Sequence, residues 1–317
     1  MRAALLLVAV AVTPVVARDF SRPGPHPVGT TTLTFTKASE TTGTPRVLAT
    51  RIWYPAKPGT GGAGDVHTDA EVARGRWPLV VFSHGSCGFP DQSPFFTAGL
   101  AAWGFVLAAP PHPGNTTHEL ATCNTPEEFA DSFANRVADV RFVIDQMLAA
   151  ARDRTSRFAG RLNPRRIGMS GHSFGAQTTL RVLAADSRVR AGVALAPTTL
   201  GITDLSITRP TLVATGAIDS VTPFATEARG AFAFLHGPRY LVELDASGHC
   251  AFTIACVPEF CGVGCTPDAL PLAEAHTLTM RWAVPFFVRY VAGRSVGRAL
   301  REGKTPSAAH LVESHGR

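Results

Sequence analysis

The sequence predicts a doubly wound α/β fold built on a mostly parallel central sheet. Short, largely apolar stretches recur along the chain at residues 79–82, 105–109, 166–169, 191–196, 211–215 and 240–244. Strands buried from both sides read this way, whereas strands of an open antiparallel sheet alternate apolar with polar residues. Helical patterns lie between these stretches, and strands alternating with helices indicate a parallel sheet covered on both faces.

Two strands are expected before this alternation begins. Thr31-Thr32-Leu33-Thr34-Phe35-Thr36 has the branched residues and period of a strand, and residues 47–54 follow as a second. Residues 58–64 are rich in glycine and read as a loop. Thr125-Pro126-Glu127-Glu128 is a helix start, with a capping Thr, Pro at the first position and Glu at the third. Phe133, Val137, Val140, Ile144, Met147 and Leu148 then recur every three or four residues, which makes one face of that helix apolar. Residues 174–185 and most of 269–291 read as further helices, the last with a break expected at Pro285. The final twenty or so residues read as a flexible tail, and residues 18–317 as one α/β domain.

The composition suits a protein with a large core. Apolar residues make up 45% of the 317 and charged residues 17%, so global disorder is not expected. The 30 basic and 24 acidic residues leave a net charge of +6, with the basic residues scattered. Nucleic-acid binding would need them clustered. Arg2 precedes an apolar run over residues 3–12, and Val15 and Ala17 fit a signal-peptidase site, so residues 1–17 read as a signal peptide cleaved after Ala17. The run is too short to span a bilayer, so the expected location is secreted or periplasmic, with no stable membrane span. Six cysteines agree with export and suggest disulfides, although six allow 15 pairings. Cys250, Cys256, Cys261 and Cys265 cluster, but they lack the C-x-x-C turns usual for zinc.

Sites on doubly wound sheets lie beyond the carboxyl ends of the strands. Beyond 166–169 stands Gly171-His172-Ser173-Phe174-Gly175, a Gly-x-Ser-x-Gly between an expected strand and an expected helix. That context is what a nucleophile elbow requires: a turn too tight for side chains at its glycines, lifting the Ser173 hydroxyl above the sheet. Serine needs a base, and the base an orienting acid. The chain order for this architecture is Ser, acid, His. Asp219 follows the strand at 211–215 and His249 follows the strand at 240–244, so both fall at strand ends in that order. Asp245 and Asp204 are the weaker candidates for the acid. His276, His236, His112 and His118 are misplaced for the base, inside a helix, before the last strand or before Ser173. An oxyanion needs preorganised N–H donors. The backbone N–H groups of Phe174 and of Ser86, in the loop Ser83-His84-Gly85-Ser86-Cys87-Gly88 after the strand at 79–82, are the expected pair. Cys87 in that loop and Cys123 beyond the next strand end are close enough in this layout to bridge.

The chain resembles the α/β-hydrolase superfamily, and within it the dienelactone hydrolase-like branch that includes platelet-activating-factor acetylhydrolase-like and cutinase-like polyesterases. The residues that carry the resemblance are Arg51-Ile52-Trp53-Tyr54-Pro55, the run 78–85, Arg136-Val137-Ala138-Asp139 through Asp145, the run 167–175, and Ala217-Ile218-Asp219 with Pro223. It implies an ester hydrolase with Ser173, Asp219 and His249 as the catalytic residues, no metal or other cofactor, and a small-molecule or lipid-like ester as its partner. Serine replaces the cysteine nucleophile of the namesake enzymes, which favours ordinary carboxylic esters. Pocket walls are expected from the loops around residues 89–96, 112–123 and 252–265, with Phe89, Phe95, Phe96 and Phe252 as apolar lining. The rival readings are a lipid- or polyester-directed enzyme, an amidase or peptidase, and a binding module that has lost catalysis.

Overall fold

The computed structural model describes residues 19–301 and 308–316. The expected signal peptide and its cleavage site lie outside the described residues.

In chain order the elements are β1 (Val28–Ala38), β2 (Pro45–Pro55), β3 (Val66–Thr68), β4 (Trp77–Ser83), α1 (Pro94–Ala102), β5 (Val106–Ala109), α2 (Pro126–Arg152), β6 (Leu162–His172), α3 (Phe174–Ala185), β7 (Val189–Leu195), β8 (Thr211–Gly216), α4 (Arg229–Ala233), β9 (Arg239–Leu244), α5 (Pro258–Cys261), α6 (Leu272–Tyr290) and β10 (Ala309–His315). The strands form one sheet in the order β10-β9-β8-β7-β6-β4-β5-β2-β1-β3. From β5 to β9 every pairing is parallel, while β2 pairs antiparallel with β5 and with β1. This is the mostly parallel sheet that the apolar stretches predict.

Packing follows from the pleat. Along β4, Val80 and Phe82 join the core under α1 and α6, while Leu79 and Val81 join the core under α2 and α3. Successive side chains point to opposite faces, so a strand covered on both sides must be apolar at every position. The start of α2 is as the sequence predicts: Thr125 accepts a hydrogen bond from the Glu128 N–H at 3.3 Å, and Pro126 opens the helix.

Two expectations are corrected. α6 runs unbroken through Pro285. Residues 283–288 are all buried between the sheet and α1, and tertiary packing of that apolar face outweighs the loss of one intrahelical bond. The expected C-terminal tail is, over Ala309–His315, an ordered edge strand paired antiparallel with β9. Its residues alternate too weakly to stand out, because one face packs little and the gain comes from the backbone ladder.

The chain reverses direction at β4. From there it steps to β5 on one side and returns to β6 on the other. This is the switch point at which a crevice opens beyond the strand ends, and the loops after β4 and β6 meet there.

Candidate active site

Ser173 occupies the turn between β6 and α3 with φ of 56° and ψ of −119°, a conformation that costs a non-glycine residue about 1–3 kcal/mol. The neighbours over-determine it. A Cβ on Gly171 would lie 2.2 Å from the Gly175 carbonyl oxygen, and one on Gly175 would lie 1.9 Å from the Ser83 carbonyl oxygen. Only glycine fits at either place. The Ser173 N–H donates to the Leu195 carbonyl at 2.9 Å, anchoring the turn to β7.

His249 opens a short 3₁₀ turn beyond β9, and Asp219 lies in the loop after β8. His249 Nδ1 donates to Asp219 Oδ2 at 2.8 Å. Both residues are 4% exposed, so the pair is shielded from water, and His249 lines the cleft. Burial works to raise the Asp219 pKa. The His249 bond and charge, together with the N–H and hydroxyl of Thr222, outweigh it and hold the carboxyl below its ordinary value. Asp219 Oδ1 accepts from the N–H groups of Val221 and Thr222 at 2.9 and 2.8 Å, and Oδ2 accepts from the Thr222 hydroxyl at 2.8 Å. An ionised acid with this many donors holds its partner imidazole with Nδ1 protonated, leaving Nε2 as the basic nitrogen.

Ser173 and His249 line the same cleft, of about 430 Å³, together with Gly85, Ser86, Phe89, Gln92, Leu120 and Phe260. Of the expected oxyanion donors, Phe174 begins α3, and a first-turn N–H has no intrahelical acceptor. Ser86 borders the cleft, and its hydroxyl donates to Asn124 Oδ1, also in the cleft wall, at 2.7 Å. A conformationally fixed serine and a buried imidazole–carboxylate pair at one apolar cleft suit acyl transfer.

A family model described as PETase, PET hydrolase-like, matches residues 24–259. The chain belongs to the PET hydrolase-like family. This PET hydrolase-like protein is 25% identical to Cutinase 1 of Thermobifida cellulosilytica over 202 residues, covering 63% of this chain and 64% of that one. It is also 25% identical over 192 residues to the bis(hydroxyethyl) terephthalate hydrolase of Streptomyces coelicolor, covering 59% of this chain and 55% of that protein. It thus spans 64% and 55% of the length of these two curated relatives. Ferulic acid esterase from Streptomyces cinnamoneus superposes with a TM-score of 0.73 at 22% identity, covering 94% of this chain and 100% of that one. The shared architecture is the α/β-hydrolase fold.

The remaining candidates of the PET hydrolase-like chain fall elsewhere. Asp245 is on the surface, bonded to His310 at 2.7 Å. Asp204 lies in the partly exposed stretch before β8. His276 stacks on Phe95 with ring centroids 3.7 Å apart, and His112 bonds Asp139. Three of the expected lining rings are also misplaced: Phe96 and Phe252 are wholly buried in the core, and Phe95 faces His276. Phe89 does line the cleft. The rest of its apolar rim comes from Leu120, Val221, Ile254, Val257 and Phe260, all exposed. A ring's place in or out of a core depends on how its loop folds back, which period and composition do not encode.

All six cysteines are paired: Cys87–Cys123, Cys250–Cys261 and Cys256–Cys265. The clustered thiols are thereby spent, which removes the zinc reading. Cys250–Cys261 ties the residue after His249 to the rim.

Sequence reasoning also missed a ring of supports. His172 Nε2 donates to the His249 carbonyl at 2.9 Å, and His172 Nδ1 accepts from Gln92 Nε2 at 2.9 Å. Gln92 Oε1 in turn accepts the Gly85 N–H at 2.9 Å. His172 had a signal, as the variable position of the elbow motif. Gln92 and Thr222 had none.

Proposed function

We propose that the protein hydrolyses carboxylic esters through an acyl-enzyme on Ser173, with His249 as base, Asp219 as orienting acid, and the N–H groups of Ser86 and Phe174 as oxyanion donors. The observation that carries this reading is the buried 2.8 Å bond between His249 and Asp219 at the cleft where Ser173 sits in its strained turn. The names of the relatives, cutinase and terephthalate ester hydrolase, support the same chemistry.

The proposed steps are those of acyl transfer through a serine. Ser173 Oγ attacks the ester carbonyl carbon as its proton passes to His249 Nε2. The carbonyl oxygen becomes an oxyanion held by the two N–H groups. The C–O bond to the leaving alcohol breaks, and His249 returns the proton to that alcohol. Water then attacks the acyl group, His249 again taking and returning a proton, and the acid leaves with Ser173 restored.

The substrate we propose is a small-molecule or lipid-like ester. A second reading, an extended polyester, is favoured by the exposed apolar rim, where Phe260 is 49% exposed. We further place the chain near the dienelactone hydrolase-like and platelet-activating-factor acetylhydrolase-like branch on the run Arg136 to Asp145. Three disulfides and the apolar leader support export to an oxidising compartment, with cleavage after Ala17 and a single domain over residues 18–317. Among the described residues no helix is long and apolar enough to cross a membrane.

Hydrolysis of p-nitrophenyl esters from acetate to palmitate, with Ser173→Ala beside the wild type, tests the reading. Wild-type turnover abolished in the variant is expected, and a preference for long chains would select lipid-like substrates. No turnover of any ester by folded wild-type protein would overturn it.

A further inference from the structure

Beneath the loop after β4 lies Arg136 of α2, a fully buried guanidinium. Its donors all go to neutral oxygens. Nε bonds Ser132 Oγ at 3.0 Å, Nη1 bonds Ser83 Oγ at 3.1 Å and the His84 carbonyl at 2.6 Å, and Nη2 bonds the Gly85 carbonyl at 3.2 Å and Asn115 Oδ1 at 2.6 Å. Among the described residues no carboxylate lies within 4.0 Å of it: Asp139, one turn along α2, pairs with Arg46 and His112 instead. A buried cation without an ion-pair partner is costly, so its position calls for a compensating use.

The contacts supply one. The Gly85 carbonyl belongs to the same peptide unit as the Ser86 N–H. That carbonyl accepts from Arg136 Nη2, from His84 Nδ1 at 2.7 Å and from the Gly88 N–H at 3.2 Å. Three donors pin it on one side, and a trans peptide then sends the Ser86 N–H the opposite way. Donation to a carbonyl also polarises its peptide and strengthens the N–H as a donor. The neighbouring Gly85 N–H is already taken by Gln92. On its other side the guanidinium packs 4.4 Å from the ring centroid of Phe174, whose N–H is the second oxyanion donor.

Building on the esterase reading, we infer that Arg136 is a positioning residue of the oxyanion hole. It orients and polarises the Gly85–Ser86 peptide, braces Phe174, and places an unpaired positive charge behind both donors. Charge that develops on the substrate only in the transition state is stabilised there, so Arg136 acts on kcat rather than on substrate binding.

Arg136→Lys, Arg136→Met and Phe174→Leu test this, each checked for folding by circular dichroism and thermal melting. Kinetics on p-nitrophenyl butyrate are paired with inhibition by an alkyl trifluoromethyl ketone, whose serine adduct carries the oxyanion. Deleting one oxyanion donor outright costs about 10²–10³ in kcat. Weakening one should cost about tenfold in Arg136→Lys and more in Arg136→Met, with KM within about threefold and the ketone Ki rising in step. Phe174→Leu keeps the N–H and should lose less than either. A folded Arg136→Lys with wild-type kcat and Ki, or one altered only in KM, overturns the inference, and this variant decides the matter if Arg136→Met does not fold. An inactive wild type would instead overturn the esterase reading itself.

Discussion

Gln92 touches the two sides of the cleft through one side chain. Its Nε2 donates to His172 Nδ1 and its Oε1 accepts from the Gly85 N–H, both at 2.9 Å. His172 passes the connection to the His249 carbonyl. The Gln92 amide therefore links the loop that carries Ser86 to the turn that carries His249. Replacing Gln92 by Ala removes both bonds and leaves a buried N–H and a buried imidazole nitrogen unsatisfied, at about 1–3 kcal/mol for each group. The variant should melt at a lower temperature and lose about tenfold or more in kcat on p-nitrophenyl butyrate. Wild-type kcat in a destabilised Gln92→Ala would show that the amide serves the fold alone.

Asp219→Asn is expected to preserve the fold while disrupting the base. An amide at this position can turn its NH₂ toward His249 Nδ1 and hold the wrong tautomer. On the precedent of the serine protease triad, kcat should fall by about 10⁴. Asp245→Asn, on the surface with His310, should retain full activity. Equal losses in the two variants would remove the assignment of the acid.

Opening Cys250–Cys261 should loosen the cleft before it unfolds the protein. The bond joins residues 11 apart and ties the residue beyond His249 to the rim. A closed loop of this size contributes about 2–3 kcal/mol in the chain-entropy account. Cys250→Ser with Cys261→Ser should lower the melting temperature and raise KM. Unchanged kinetics at a lowered melting temperature would confine the bond to a structural role.

Acid should destabilise the protein from near neutrality downward. Burial, aided by neighbouring positive charge, lowers the pKa of His172 to about 3 and of His112 to about 4, and holds His84 well below its ordinary value. Each imidazole takes up a proton more readily when unfolded, at about 6.5. The stabilisation is thus fully present above pH 6.5 and declines as pH falls toward the folded values. The slope reaches about 1.4 kcal/mol per pH unit for each group. Urea midpoints at pH 7.5 and pH 5 measure this, and equal midpoints would contradict it.

Much of this protein is legible in its sequence. The strands at 79–82, 191–196, 211–215 and 240–244 and the helices at 126–152 and 174–185 are specified by residues within a few positions of one another. Apolar period, a capping Thr and a glycine pair are local signals, and the order Ser173, Asp219, His249 follows from counting strand ends. What only the folded chain decided is which distant groups meet. Gln92 reaches His172 across 80 positions, and Arg136 reaches Ser83 across 53. The pairing within the cysteine cluster, the burial of Phe96 and Phe252 away from the cleft, and the edge strand at Ala309–His315 belong to the same class. A hydrogen bond between such groups depends on the crossover that returns the chain from β5 to β6 beside β4, and on where each loop folds back. Neither leaves a period or a spacing in the sequence, because the residues involved answer to neighbours in space and not to neighbours in the chain.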